Sequence, residues 1–423
     1  MANARKIALK ALLEVRAQAY SNITLNKFLS ETELSGVDKS LVTRLFYGVL
    51  DRTITLDYVL SKFIKTPLKK VDTFTLETLR IALYQIMFMD KIPPSAAVNE
   101  AVKIVKNSKK KHLSGFVNGV LRNILREDIK LPDGDNSYEL SVKYSCPQWI
   151  VESFISDYGI DNAVNLLEHS LKTPPVTLRV NTLKATTADL CEALLKDGIE
   201  AKALSLDNAL EVLGGIDVTN CLAYHAGLFH VQDLASQKAV SILNPSSNER
   251  LLDVCAAPGG KTFTIAQYME NKSSIVACDL HQKRVELINK GTRRLGITNI
   301  STLQNDATIY NSELGKFDAI LCDVLCSGLG VIRRKPEIKY KDLSEYQDIT
   351  DIQLQILETS VKYLKENGRI LYSTCTLRKC ENEGVIKRFL DKYPQYELKY
   401  QHTFMPHIDD SDGFYCALLQ KSW

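Results

Sequence analysis

The chain has 423 residues, 45% of them hydrophobic and 24% charged, with a formal net charge of +3, which is ordinary for a soluble globular protein with room for two or three domains. Its longest near-continuous apolar run, "IALYQIMFM" (residues 81–89), is too short to span a bilayer, and the charged stretch "MANARKIALK" lacks the pattern of a signal peptide. Ten scattered cysteines without a C-x-x-C pair, several in strand-like runs (Cys278, Cys322), argue for free thiols in a reducing cytoplasm rather than disulfides.

The charge is unevenly placed. Residues 1–130 carry 22 Lys+Arg against 12 Asp+Glu, and the remainder carries 31 against 38. A basic module suits phosphate contacts with nucleic acid, although a lysine-rich solvated surface has the same charge. This module reads as helices: "ARKIALKALLEV", "SLVTRLFYGVLDRTITLDYVLSKFI", "DTFTLETLRIALYQIMFM" and "PSAAVNEAVKIVKN" repeat apolar residues at i, i+3, i+4 and i+7. Pro67, Pro93 and Pro94 punctuate them, and the turn chemistry of "LPDGDNS" (residues 131–137) marks a boundary. Beyond it, "PQWIVESFISDYG" and "DNAVNLLEHSL" predict helices, "PVTLRVNT" (residues 175–182) alternates as a strand, and "TADLCEALLKDG" returns to helix.

From about Arg250 the texture becomes strand–helix alternation. "RLLDVCA", "SSIVACDL", "FDAILCDV" and "GRILYSTC" read as strands buried on both faces, separated by helices such as "QKRVELINKGTRRLG" and "TDIQLQILETSVKYLKENG". The pattern predicts a doubly wound parallel sheet with ligands at the carboxyl ends of its strands. Gly260, Lys261 and Thr262 supply the end of a phosphate-binding G-x-x-x-x-G-K-[ST] loop, but Cys255 stands at its first glycine. Asp279 at the end of the second strand suits ribose hydroxyls, so a ribose-bearing cofactor without a triphosphate fits better than ATP. Asp306 in "LQND" ends the third predicted strand and Asp323 the fourth.

Together "DVCAAPGGKT", the acid of "CDL", "ND", "DVLCSG" and "STCT…ENE" resemble the RNA 5-methylcytosine methyltransferases of the Sun/Nop2 type, over nearly the whole chain. "GLFHVQDLASQ" (residues 227–237) resembles the segment before the catalytic domain, "GVIRRKPEIKY" the stretch after the fourth-strand cysteine, and the basic helices a NusB-like RNA-binding domain. The resemblance implies a multidomain fold: an all-α NusB-like domain (1–130), a small α+β connecting domain that contacts RNA (138–225), and a C-terminal α/β Rossmann-like methyltransferase domain (226–423). It implies S-adenosylmethionine held by Cys255, Ala256, Ala257, Pro258, Gly259, Gly260 and Lys261 together with Asp279, Asp306 and Asp323. It further implies a cytoplasmic enzyme methylating carbon 5 of a cytosine in small-subunit (16S) ribosomal RNA not yet fully assembled, without a metal or an obligate protein partner.

Carbon 5 of neutral cytosine is a poor nucleophile. A thiolate added to carbon 6 makes carbon 5 enamine-like, and the carbon 5 proton must then leave before the thiolate can be eliminated. Cys326 and Cys375 lie at the ends of neighbouring predicted strands and inside polar loops; a lone cysteine is usually inert core, a pair at one active edge is not. The resemblance makes Cys375 the nucleophile and assigns Cys326 to product release. Asp323 is read as holding the N3 edge of the base while it gains a proton. Lys261 is read as lowering a thiolate's pKa or contacting phosphate, against the alternative of a water-exposed lysine at a helix start. Leu325 stands where the family usually has proline, which would stiffen the loop carrying Cys326. The thiols of Cys255 and Cys380 are read as structural or incidental. An ATP- or GTP-dependent enzyme, a non-catalytic RNA-binding protein, and a methyltransferase of protein or transfer RNA are the competing readings; the missing glycine disfavours the first and the cysteine pair both of the first two.

Overall fold

The computed structural model describes residues 3–16, 21–218 and 220–421. They group into two compact units, Met1–Lys172 with Ile332–Lys341, and Thr173–Val331 with Asp342–Trp423.

In the first unit the described elements are all helical. Its longest helix, Gly36–Phe63, starts at Ser35, whose hydroxyl accepts from the Asp38 amide, satisfying a donor that a helix start otherwise leaves orphaned. Its stripe of Val42, Leu45, Phe46, Val49, Leu50, Leu56, Val59 and Leu60 is buried in the unit's core; each such side chain contributes roughly 1.5–3 kcal/mol on burial. Gly48 lies on this helix because a Cβ there would come within 2.0 Å of the Tyr84 ring. Helix Ser137–Tyr144 joins the same body: Thr55 Oγ1 donates to the Val142 carbonyl at 2.6 Å, and the Ile54 amide donates to Ser145 Oγ at 3.0 Å. Residues 138–172 thus fall in the same unit as these helices.

The segment Ile332–Lys341 also belongs to this unit. Tyr340 donates to the Leu50 carbonyl at 2.6 Å and Ser21 to Glu337 at 2.7 Å, while the fully buried Lys339 ammonium donates to the Asp51 carbonyl at 3.1 Å. A lysine survives such burial only because its charge is partnered.

The second unit holds two sheets. Strands β1 (Val176–Val180), β2 (Glu200–Ala203), β3 (Ala209–Leu213) and β4 (Phe229–Val231) form an antiparallel sheet in the order β2-β3-β1-β4. Helix Thr187–Lys196 buries Leu190 and Leu194 among Leu178, Val180, Leu210 and Phe229. Strands β5 (Arg250–Asp253), β6 (Ser274–Asp279), β7 (Ile300–Gln304), β8 (Phe317–Asp323), β9 (Leu364–Thr374), β10 (Tyr396–Phe404) and β11 (Phe414–Lys421) form a sheet in the order β10-β11-β9-β8-β5-β6-β7. β5 to β9 pair in parallel, with apolar side chains on both faces: Leu251, Ile275, Leu321 and Leu371 on one, Leu252, Val276, Ile320 and Tyr372 on the other. Antiparallel β11 and β10 extend the edge beyond β9 and are not foreseen by the sequence reading. The stretch read as one helix, "TDIQLQILETSVKYLKENG", is helical over Ile349–Ser360 and gives way to β9 at Leu364, which pairs with Phe317. β7 ends at Gln304, so Asp306 sits in the following loop. Strand order reverses at β5, making the β5/β8 boundary the crevice where open α/β sheets take ligands. Among the described residues no helix is long and apolar enough to cross a membrane.

Candidate active site

β5 leads into the loop 254–259, which its neighbours hold by their backbones: the Val254 amide donates to Leu321 O at 3.1 Å and the Ala256 amide to Cys278 O at 2.7 Å. Gly259 has φ 112°, and a Cβ there would meet the Phe263 ring at 2.3 Å, so no side chain is accommodated. Gly260 opens helix Gly260–Tyr268. A Cβ on Gly260 would find nothing nearer than Gln232 Nε2 at 3.9 Å, so protein packing does not demand this glycine and the space beside it is open to a ligand.

The acids follow in strand order. Asp253, at the end of β5, accepts from Thr262 Oγ1 at 2.6 Å, and its other oxygen is buried without a hydrogen-bond partner. Burial lifts its carboxyl to about 7, against the pull of the Thr262 bond. Asp279, nearly fully buried, accepts from the Ala257 amide at 3.3 Å and the His281 amide at 3.1 Å. Arg284 lies 3.4 Å from it and donates to the Ala257 carbonyl at 2.6 Å, tying acid, arginine and loop together. Asp306 accepts from the amide and hydroxyl of Thr308 at 2.9 and 2.7 Å, closing its own turn, while the Asn305 amide reaches the Asp279 carbonyl at 3.0 Å. Asp323 closes the row: Oδ2 accepts from Lys261 Nζ at 2.7 Å and Oδ1 from Ser373 Oγ at 2.8 Å.

Lys261 is thus no water-exposed helix-start lysine; its side chain is 13% exposed and held by Asp323. This donor set fits a cationic nucleoside. A triphosphate would face the carboxylates of Asp279, Asp306 and Asp323, and the lysine that a phosphate-binding loop aims at its anion already has an acid partner. A nucleoside carrying ribose hydroxyls and a cationic sulfonium would meet the same acids with complementary groups.

The two cysteines meet at the edge beside Asp323. Cys326 Sγ and Cys375 Sγ lie 3.2 Å apart, both partly accessible. The hydrogen bond with Cys375, and burial after it, hold the Cys326 thiol well above its usual range. Leu325, where the family usually has proline, is 49% exposed, and its carbonyl accepts from Gln353 Nε2 at 2.9 Å. Burial also raises the Cys255 thiol well above an ordinary cysteine, as suits a structural role. Asp253, Arg284, Ser373, Gln353 and Glu381 complete the site without having been singled out from sequence. Asp253 and Glu381 stand inside the quoted motifs; Arg284 and Gln353 carry no local signal. Among the described residues no cluster of His, Cys, Asp and Glu could hold a metal ion.

Three segments match known families: residues 240–420 the 16S rRNA methyltransferase RsmB/F family, residues 2–126 the NusB family, and residues 146–219 the ferredoxin-like domain of RsmF/B-like methyltransferases. The probable ribosomal RNA small subunit methyltransferase B of Bacillus subtilis is 38% identical over 99% of this chain and 98% of its own. One solved crystal structure, 25% identical, superposes with a TM-score of 0.87 over 99% of this chain and 98% of that one. A methyltransferase homolog from Pyrococcus horikoshii, 26% identical, does so with a TM-score of 0.61 over 68% of this chain and all of its own.

Proposed function

The chain belongs to the family of 16S rRNA methyltransferases RsmB/F, and on that premise we propose that it methylates carbon 5 of a cytosine in small-subunit ribosomal RNA through a covalent Cys375–cytosine adduct. The observation that carries the reading is the 3.2 Å contact between two thiols at the carboxyl ends of the paired strands β8 and β9.

Bound S-adenosylmethionine supplies an electrophilic methyl group. The loop from Cys255 to Lys261 and Asp306 border that cofactor, and Asp279 accepts from its ribose hydroxyls. The Cys375 thiolate adds to carbon 6 of the base, and the electron pair moves to carbon 5, which takes the methyl group. Asp323 holds the N3 edge, with Lys261 beside it as the source of the proton that the base gains. Cys326 first gives its thiol proton to solvent, its thiolate takes the carbon 5 proton, the carbon 5–carbon 6 double bond re-forms, Cys375 leaves as thiolate, and the N3 proton returns to Lys261.

The two thiols share one hydrogen bond, and that bond together with burial raises the Cys326 thiol's pKa. The target base leaves its stack to reach the thiols, and the basic NusB-like helices provide the phosphate contacts.

The test is adduct trapping on a 16S transcript. Cys326→Ala accumulates a covalent protein–RNA band that survives denaturation and disappears with nuclease; Cys375→Ala and the double variant form none. Trapping by Cys375→Ala alone reverses the roles, and full activity in both single variants removes the cytosine-5 reading.

A further inference from the structure

Cys326 and Cys375 stand on separate loops, and their juxtaposition needs a frame. The structure provides one of buried side chains, none of which enters the chemistry above. Glu381, fully buried, accepts from the Ser327 amide at 2.9 Å and from Gln353 Nε2 at 3.1 Å through one oxygen, while Arg378 donates to the other at 3.2 Å. The same Gln353 Nε2 donates to the Leu325 carbonyl at 2.9 Å. The peptides before and after Cys326 are therefore both tied to one Gln353–Glu381 pair. Asn382 does the equivalent for the nucleophile: Thr374 Oγ1 donates to it at 2.6 Å, and its amide donates to Thr376 O at 3.1 Å. Two cross-links join the loops, Ser327 Oγ to Thr376 Oγ1 at 2.7 Å and the Gly330 amide to Cys375 O at 3.0 Å. At Gly330 a Cβ would lie 1.9 Å from the carbonyl oxygen of Gly413, just before β11, and 2.8 Å from the Cys375 carbonyl oxygen, so no side chain fits there.

We propose that Glu381 and Gln353 are positioning residues that hold Cys326 for product release, independently of the attack by Cys375. Leu325 leaves φ free where a proline would fix it, so the anchored carbonyl at Leu325 and the anchored amide at Ser327 are what set the direction of the intervening thiol. A buried glutamate whose acceptors are occupied by a backbone amide and a side-chain amide keeps one geometry, since any other leaves a charge unsatisfied. After the Cys375 hydrogen bond and burial, the Glu381 charge also raises the Cys326 thiol's pKa. The inference rests on the two-thiol reading.

The test follows adduct formation and adduct decay separately, on a 16S transcript, for Glu381→Ala, Glu381→Gln, Gln353→Ala and Cys326→Ala. Loss of the brace lengthens the life of the adduct about tenfold, the effect of one lost positioning hydrogen bond. Adduct formation and S-adenosylmethionine affinity stay within about twofold, because Asn382 still holds Cys375. Glu381→Gln, which keeps an acceptor for the Ser327 amide, restores most of the decay rate; a purely structural role would instead slow both phases together. Equal slowing of both phases, or decay at the wild-type rate in Gln353→Ala, overturns the assignment, and Gln353→Ala carries the test if Glu381→Ala fails to fold. If Cys326→Ala accumulates adduct while the brace variants do not, only the positioning role is lost. If Cys326→Ala itself leaves no lasting adduct, the two-thiol reading falls instead.

Discussion

Lys261 Nζ lies 2.7 Å from Asp323 Oδ2 and 4.9 Å above the centre of the Phe414 ring. Burial works against the ammonium, but the Asp323 carboxylate holds its pKa above the ordinary lysine value. The ammonium is thus fixed between the loop 254–259 and the β8 acid, placed to lend the proposed reaction its charge and, transiently, its proton. Lys261→Met should lower kcat/KM by about 10²–10³, the usual cost of removing one preorganised electrostatic donor. Lys261→Arg should not restore it, because a planar fork replaces a point charge. Single-turnover adduct formation checks this, and a rate equal to wild type in Lys261→Met would leave the lysine a structural role only.

Asp279, which we propose accepts from the ribose hydroxyls, has its position already fixed by the Ala257 and His281 amides. Asp279→Ala should weaken S-adenosylmethionine binding by about 10- to 100-fold, the range for hydrogen bonds to a charged acceptor. Asp279→Asn, which keeps one oxygen, should fall between. Calorimetry measures both, and an unchanged dissociation constant would place the ribose elsewhere.

Asp253 links stability to pH. Its carboxyl titrates at about 7 in the fold, against 3.8 when unperturbed. The folded state therefore keeps a proton that the unfolded chain has released over that interval. The associated stability is complete below the unfolded value and is lost as pH rises towards 7. Asp253→Asn cannot ionise, so its urea midpoint should gain on the wild type steadily from pH 4 to 7 and then level off. Parallel midpoints across that range would show that Asp253 titrates normally.

The helical unit should contribute its RNA affinity through phosphate contacts. Lys106, Lys109 and Lys111 are exposed at and beyond the end of helix Pro94–Lys106. Replacing the three with Glu should weaken binding to RNA of any sequence and flatten the salt dependence by roughly 0.7–0.9 in log–log slope per lost contact. Filter binding between low and physiological salt measures that slope, and no change would reduce these lysines to a solvated surface.

The apolar runs ending in Asp253, Asp279 and Asp323 were legible as strands because a strand buried on both faces must be apolar at successive positions. The helices of the first unit were legible for the complementary reason, a one-faced apolar stripe. The cofactor loop and both cysteines were legible because their chemistry is concentrated in short motifs. β10 was not, since most of its residues are exposed or half-exposed and its partner is a strand that comes later in the chain. Nor was the end of the helix before β9, where pairing with Phe317 overrides a helical pattern. Local periodicity reports only how one segment meets water. Lys261 and Asp323 are 62 positions apart, Ser327 and Glu381 54, and Lys339 and Asp51 288. The strand order and the close approach of the loops decide which of these groups meet, and buried charges then accept only partners that satisfy them.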